Sequence, residues 1–106
     1  MQEATFMILT ALAGGSQHGY GIIADVREVS GGRVQLRPGT LYDALDRLRT
    51  DALIVVDREE VTEGRLRRYY RLTPDGTRLL AAEAVRLRAN ANAALTRLNP
   101  AAGMAK

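Results

Sequence analysis

The chain contains no cysteine and only one histidine, His18. Without thiols there can be no disulfide, no thiolate metal site and no sulfur nucleophile. A lone imidazole with no such partners makes a poor metal site, so His18 is read as a packing or hydrogen-bonding residue. No glycine-rich phosphate loop and no serine in a nucleophile elbow occurs. The expectation is therefore no enzyme, no metal and no other cofactor. Tryptophan is also absent, and the aromatics are four Tyr and one Phe, which leaves the core to Leu, Ile, Val and Ala. The longest apolar run near the N-terminus, Phe6-Met7-Ile8-Leu9, is far too short to cross a membrane and lacks a basic flank. These features predict a soluble, cytoplasmic protein.

What is present is charge, unevenly placed. The formal net charge is +3 over 106 residues. Residues 1–60 hold six Arg against nine Asp and Glu, whereas residues 61–106 hold nine Arg and Lys against three. Four of those arginines fall within 65–71. Clustered cations bind phosphate arrays by releasing condensed counterions, so a polyanion is one partner this field fits; a solvated basic face is the other reading. The length allows one domain, with a helical extension at its end.

Periodicity divides the chain. Residues 3–13 carry Ala4, Ile8 and Leu12 on one helical stripe with Leu9 beside it, and Gly14-Gly15-Ser16 ends the helix. A second helix is expected from about Tyr20 to Val29, with Ile22, Ile23, Val26 and Val29 inward. A third opens at Pro38, where a missing N–H costs nothing, and runs to residue 52. Leu41, Leu45, Leu48 and Ala52 form its inward arc, leaving a polar outer face. Two β-prone runs, Ile54–Arg58 and Leu66–Leu72, flank the turn-prone Thr62-Glu63-Gly64 and predict a hairpin over 54–72. Thr73-Pro74-Asp75 then starts a fourth helix: a capping side chain, a proline at the first position and an acid at the positive end. Within it Leu80, Ala84, Leu87, Ala91, Ala94 and Leu98 recur in alternating steps of four and three, a heptad seam.

Helix–helix–helix–strand–strand–helix is the order of a winged helix–turn–helix with an added C-terminal helix. The predicted fold class is mainly α with a small β-hairpin (α+β). Residues 1–73 form a winged helix–turn–helix DNA-binding domain, 74–98 a C-terminal dimerisation helix and 99–106 a disordered tail. In the seam, Leu80 packs on its own domain, Ala84 lies at the border, and Ala84, Leu87, Ala91, Ala94 and Leu98 are the expected dimer interface.

The residues His18-Gly19-Tyr20-x-Ile22, Pro38-Gly39-Thr40-Leu41-Tyr42-x-Ala44-Leu45-x-Arg47-Leu48, Ile54 and Arg68-Tyr69-Tyr70-x-Leu72-Thr73-x-x-Gly76 occur in an order and spacing that resembles the PadR-like transcriptional regulators. The resemblance covers roughly residues 4–88. It implies a homodimer joined through its C-terminal helices, third helices in adjacent major grooves, and wings on the flanking backbone or minor groove. Family members are often repressors, and some respond to small hydrophobic or phenolic effectors. Two departures accompany it. Arg37 stands where a capping residue such as Ser is usual, and one C-terminal helix follows where longer members carry a further helical domain.

The expected DNA-binding residues are Arg37, Gly39, Thr40, Tyr42, Asp43, Arg47, Arg65 and Arg67. Gly39, on the outward face, either lets a phosphate approach the free N–H groups of the helix or simply sits in a turn. Thr40 either donates to phosphate or caps. Tyr42 either sets its hydroxyl on a phosphate or packs structurally. Arg47 and Arg49 are candidates for base or phosphate contact, bidentate Arg to guanine being the commonest specific pairing. Asp43, four residues before Arg47, either pairs with it or accepts from a cytosine amino group. Arg65 and Arg67 near the wing tip suit backbone or minor-groove contact. Arg68 shares a face with Tyr70 and Leu72, which predicts an internal salt bridge over the domain. The function expected is sequence-specific regulation of transcription, by repression, as a homodimer on a palindromic operator of double-stranded DNA. A winged helix used for protein contact without DNA is the competing reading.

Overall fold

The structure, a computed structural model, describes residues 1–99. The chain runs α1 (Glu3–Ala13), β1 (Gln17–His18), α2 (Gly19–Val29), α3 (Pro38–Thr50), β2 (Ile54–Thr62), β3 (Arg65–Leu72) and α4 (Pro74–Leu98). The expected tail falls, from residue 100 onward, outside the described residues.

The core forms where the apolar stripes of α1, α2 and α3 meet the inner face of the sheet. Ile8, Leu9, Ile22, Val26, Leu41, Leu45 and Ile54 are all buried to within 1% of complete. Leu36 and Tyr70 are buried as well, so the connector before α3 contributes to the core. Ser30 holds the end of α2: its hydroxyl accepts from Val34 N–H at 3.0 Å. Two sequence expectations fail at helix ends. Val29 is exposed although it keeps to the stripe of Ile22 and Val26, because as the last residue of α2 it extends past the core. Ala52 is not part of α3 at all. The helix stops at Thr50, and Ala52 takes a left-handed φ of 59°. Its N–H bonds Arg49 O while Leu53 N–H reaches back to Leu48 O, which satisfies carbonyls that a helix end leaves open.

The sheet has three antiparallel strands in the order β1-β3-β2. β1 was not foreseen: two residues, Gln17 and His18, pair with Tyr70 and Tyr69. Both strands of the hairpin are longer than their sequence runs, β2 reaching Thr62 and β3 starting at Arg65. Glu63 and Gly64 make the turn, both with positive φ, as a two-residue hairpin loop matched to strand twist requires. The register slips between Val56 and Arg58 and leaves Asp57 as a bulge. That bulge gathers charge: Asp57 accepts from Ser16 Oγ at 3.0 Å, Arg71 Nε at 3.1 Å and Arg58 Nη1 at 3.2 Å.

Thr73 caps α4, its hydroxyl accepting from Gly76 N–H at 3.0 Å and donating to Ala52 O at 2.7 Å. The first turn of α4 is thereby fastened to the link between α3 and β2. Leu80 and Ala84 are half-buried, and α1 is the helix that α4 touches most. From Val85 onward every described residue of α4 is exposed.

Candidate nucleic-acid interface

α3 turns Leu41, Ala44, Leu45 and Leu48 into the core, and the 3.6-residue period sends the others outward. Gly39, Thr40, Tyr42, Asp43, Asp46, Arg47 and Arg49 are exposed. Its N-terminus is open. Arg37 occupies the N-cap without making a side-chain cap bond, so backbone N–H groups at the first turn keep their donor capacity. A Cβ at Gly39 would meet nothing within 4 Å, so no protein contact demands glycine there. The anticipated Asp43–Arg47 ion pair is not among those the described residues form.

A cleft of about 340 Å³ separates α3 from the wing. Tyr20, Tyr42 and Asp46 line its helical side, and His18, Arg65 and Arg67 its sheet side. Tyr42 is 43% exposed, and its hydroxyl lies over Gly19 at the first residue of α2. Burial, and next the neighbouring Tyr70 and Tyr20, push the Tyr42 phenol above its ordinary pKa. The hydroxyl is thus a protonated donor at neutral pH.

The wing arginines divide in a way the sequence did not reveal. Arg65 is exposed beside the turn. Arg67 folds back instead, its Nη1 2.9 Å from His18 Nε2. Its Nε is shielded from solvent and has no hydrogen-bond partner. Arg68 does form a salt bridge, to Glu59 at 3.9 Å, but across the exposed wing and not over the domain. On the outer sheet face the Arg58 guanidinium stacks 4.0 Å from the Tyr69 ring centroid, and His18 meets the same ring edge-on at 5.2 Å.

His18 is the residue sequence reasoning undervalued. It caps α2, Nδ1 accepting from Gly21 N–H at 3.2 Å, and burial followed by the Arg67 charge lowers its pKa, so the ring is neutral at pH 7. Its partner Arg67 lies forty-nine positions away, beyond the reach of any local pattern.

The expected seam residues Ala84, Leu87, Ala91, Ala94 and Leu98 follow one side of α4. Leu87 is 39% and Leu98 81% exposed in the single chain, which leaves an apolar strip uncovered. Among the described residues no helix is long and apolar enough to cross a membrane.

The sequence pattern of the transcriptional regulator PadR-like family matches residues 8–82. A transcriptional regulator of Mycobacterium tuberculosis is 46% identical over 50 residues, 47% of this chain and 46% of that protein. The chain spans less than half the length of the curated relatives it matches, and only 22% of a 37.1 kDa protein from a Streptomyces fradiae transposon. A PadR family transcription regulator from Clostridium difficile superposes with a TM-score of 0.79 at 27% identity, over 92% of this chain and all of that one. Bacillus subtilis PadR, solved in complex with operator DNA, superposes with a TM-score of 0.71 over 79% of this chain and 48% of that one; at 22% identity this likeness is one of fold.

Proposed function

The chain belongs to the PadR-like family of transcriptional regulators, and from that premise we propose that it binds operator DNA as a homodimer and represses transcription. The observation that carries this reading is the convergence on one cleft of Tyr42 from α3 and the wing arginines, on a helix whose own start is left uncapped. α3 enters the major groove. Gly39 admits a phosphate to the free N–H groups at its start, where the helix dipole favours an anion. Thr40 and Tyr42 donate to the backbone, Arg37 adds charge there, and Asp43 and Arg47 face base edges. Arg65 on the wing reaches the flanking backbone or minor groove, with Arg67 behind it. Residues 1–73 are then the reading domain, and 74–98 the helix that pairs two copies through Ala84, Leu87, Ala91, Ala94 and Leu98. Bacillus subtilis PadR, which shares the fold, was crystallised in complex with operator DNA, which supports DNA as the partner.

A two-fold dimer presents two identical α3 helices, so the operator is an imperfect palindrome with half-site centres roughly 10 base pairs apart or a multiple of that. Selection of bound fragments from the source genome, followed by footprinting, tests this. Recovered palindromes protected at two chains per duplex support it. A single asymmetric footprint at one chain per duplex overturns the dimer. Retention that is independent of salt on every duplex leaves the protein-contact reading in its place.

A further inference from the structure

His18 sits between two donors. Gly21 N–H points at Nδ1 from 3.2 Å, and Arg67 Nη1 lies 2.9 Å from Nε2 and 3.5 Å from Nδ1. A neutral imidazole accepts at one nitrogen and donates at the other, while a guanidinium only donates. If Nδ1 accepts from Gly21, the proton is on Nε2 and faces an Arg67 N–H. The opposite tautomer sets Nδ1–H against Gly21 N–H and gives up the cap on α2. Of the two shorter contacts, one is therefore donor against donor in either tautomer.

Arg67 Nε adds a further unmet donor, since it is shielded from solvent without a partner. Neither carboxylate beside it pairs with it among the described residues. Glu60, opposite Arg67 in the register, takes Arg58 Nε at 2.7 Å, and Asp46 is on the far wall of the cleft. This wall has donors in excess, and one shared anionic oxygen would satisfy them.

We propose that His18 and Arg67 together hold one phosphodiester of bound DNA, at the mouth of the cleft between α3 and the wing, with Nε2–H of neutral His18 donating beside the guanidinium. The proposal rests on the DNA-binding reading and adds to it an uncharged contact and a fixed tautomer. The α2 cap selects that tautomer: keeping Gly21 bonded to Nδ1 places the proton on Nε2. The phosphate enters between His18 and Arg67 and turns their opposed N–H groups into two donors to one acceptor. His18 is then a phosphate contact, and its capping role is what orients it.

The sole histidine gives a clean signal, so the imidazole nitrogens can be followed by NMR in the unmodified full chain. The expected result is a neutral ring with Nδ1 unprotonated, whose Nε2 and attached proton shift when a short random-sequence duplex is added. A Nδ1–H tautomer, or an Nε2 unmoved by saturating duplex, overturns the proposal. His18→Asn supplies the second arm, because Asn is among the best N-cap residues but cannot reach the cleft. Its melting temperature should match the parent while its affinity for the duplex falls roughly tenfold, as for loss of a hydrogen bond to a charged group. Arg67→Ala should lower the slope of log affinity against log salt by about 0.9 per chain. The double variant should lose less affinity than the two single losses combined, since both residues hold one phosphate. Losses that add, or His18→Asn binding like the parent, overturn the shared phosphate. If the parent itself shows no salt-dependent binding to any duplex, the DNA-binding reading falls first.

Discussion

The Tyr42 hydroxyl lies where a side chain at Gly19 would begin: a Cβ there would stand 2.8 Å from Tyr42 Cζ and closer still to the oxygen. Gly19 opens α2 and Tyr42 sits on α3, so the missing methyl on one helix sets the position of a donor on the other. Gly19→Ala should drive the phenol outward. The stability cost should be small, about 1 kcal/mol, because the far end of a side chain can yield more readily than backbone. Affinity for DNA should fall roughly tenfold if the hydroxyl contacts a phosphate. Tyr42→Phe should show the same loss of affinity with an unchanged melting temperature. Equal binding by Tyr42→Phe and the parent would remove the hydroxyl from the interface.

Gly76 is a stricter case. A Cβ there would be driven into the Leu53 carbonyl, 3.0 Å from its carbon, and that carbonyl already accepts Thr73 N–H at 3.1 Å. The obstacle is backbone, which has nowhere to go. Gly76→Ala should destabilise the fold by about 3 kcal/mol, at the upper end of overpacking costs. Gly39→Ala is the control, since open space surrounds that position. It should leave stability unchanged or raised by several tenths of a kcal/mol while weakening DNA binding. Denaturant midpoints for the two variants would separate these outcomes.

Asp57 should show itself in acid. The hydrogen bond from Ser16 does most to hold its carboxyl below the usual range; burial opposes it, and Arg58 and Arg71 add to the lowering. A carboxylate whose folded pKa is depressed stabilises the fold fully above its unfolded value, about 3.9, and loses that contribution as pH falls through the folded value beneath it. Urea midpoints of Asp57→Asn and the parent should differ at pH 7 and converge as the pH falls below the unfolded value and on through the folded one. A constant difference across that range would show that the bulge is held by packing alone.

Leu87→Asp should separate the dimer. The side chain belongs to the uncovered strip of α4, and a carboxylate there loses its water on pairing at a cost of roughly several kcal/mol. Sedimentation should report a folded monomer, because Leu87 contributes little to the domain beneath it. An unchanged dimer would displace the interface from this strip.

Arg65→Ala and Arg47→Ala should differ in kind. Arg65 stands exposed at the wing turn, and losing one phosphate contact per chain should lower the salt slope of the dimer by about 1.8, on specific and random duplexes alike. Arg47, exposed on α3, should cost roughly 1–3 kcal/mol at particular base positions and leave random duplexes little affected. Anisotropy titrations over a salt series decide between them. A wing variant with the parental slope would place the hairpin off the DNA.

Periodicity made the helices legible, because an amphipathic stripe is a local pattern. Thr73 and Pro74 marked the start of α4 to the residue for the same reason. The end of α3 was misplaced because Ala52 continues the stripe in sequence while its backbone has already turned left-handed. β1 escaped because two residues carry no periodicity; they become a strand only against Tyr69 and Tyr70. The division of labour among the arginines was hidden for a related reason. The local pattern leaves Arg67 near the wing tip, and only the placement of β1 supplies the imidazole that draws it back.

The way α4 leaves the domain has a mechanical consequence. Thr73 bonds to Ala52 and Leu53, and Gly76 abuts the Leu53 carbonyl, so the helix departs without a swivel from the same link that ends α3. A 25-residue helix is a lever arm of about 37 Å. A tilt of about 5° at its anchor carries the free end about 3 Å, and the converse also holds: a force that spreads two such arms at their far ends is delivered, geared down, to the helices in the groove. In the proposed dimer, anything wedged between the distal halves of the pair would therefore act on the spacing of the two α3 helices without touching either one.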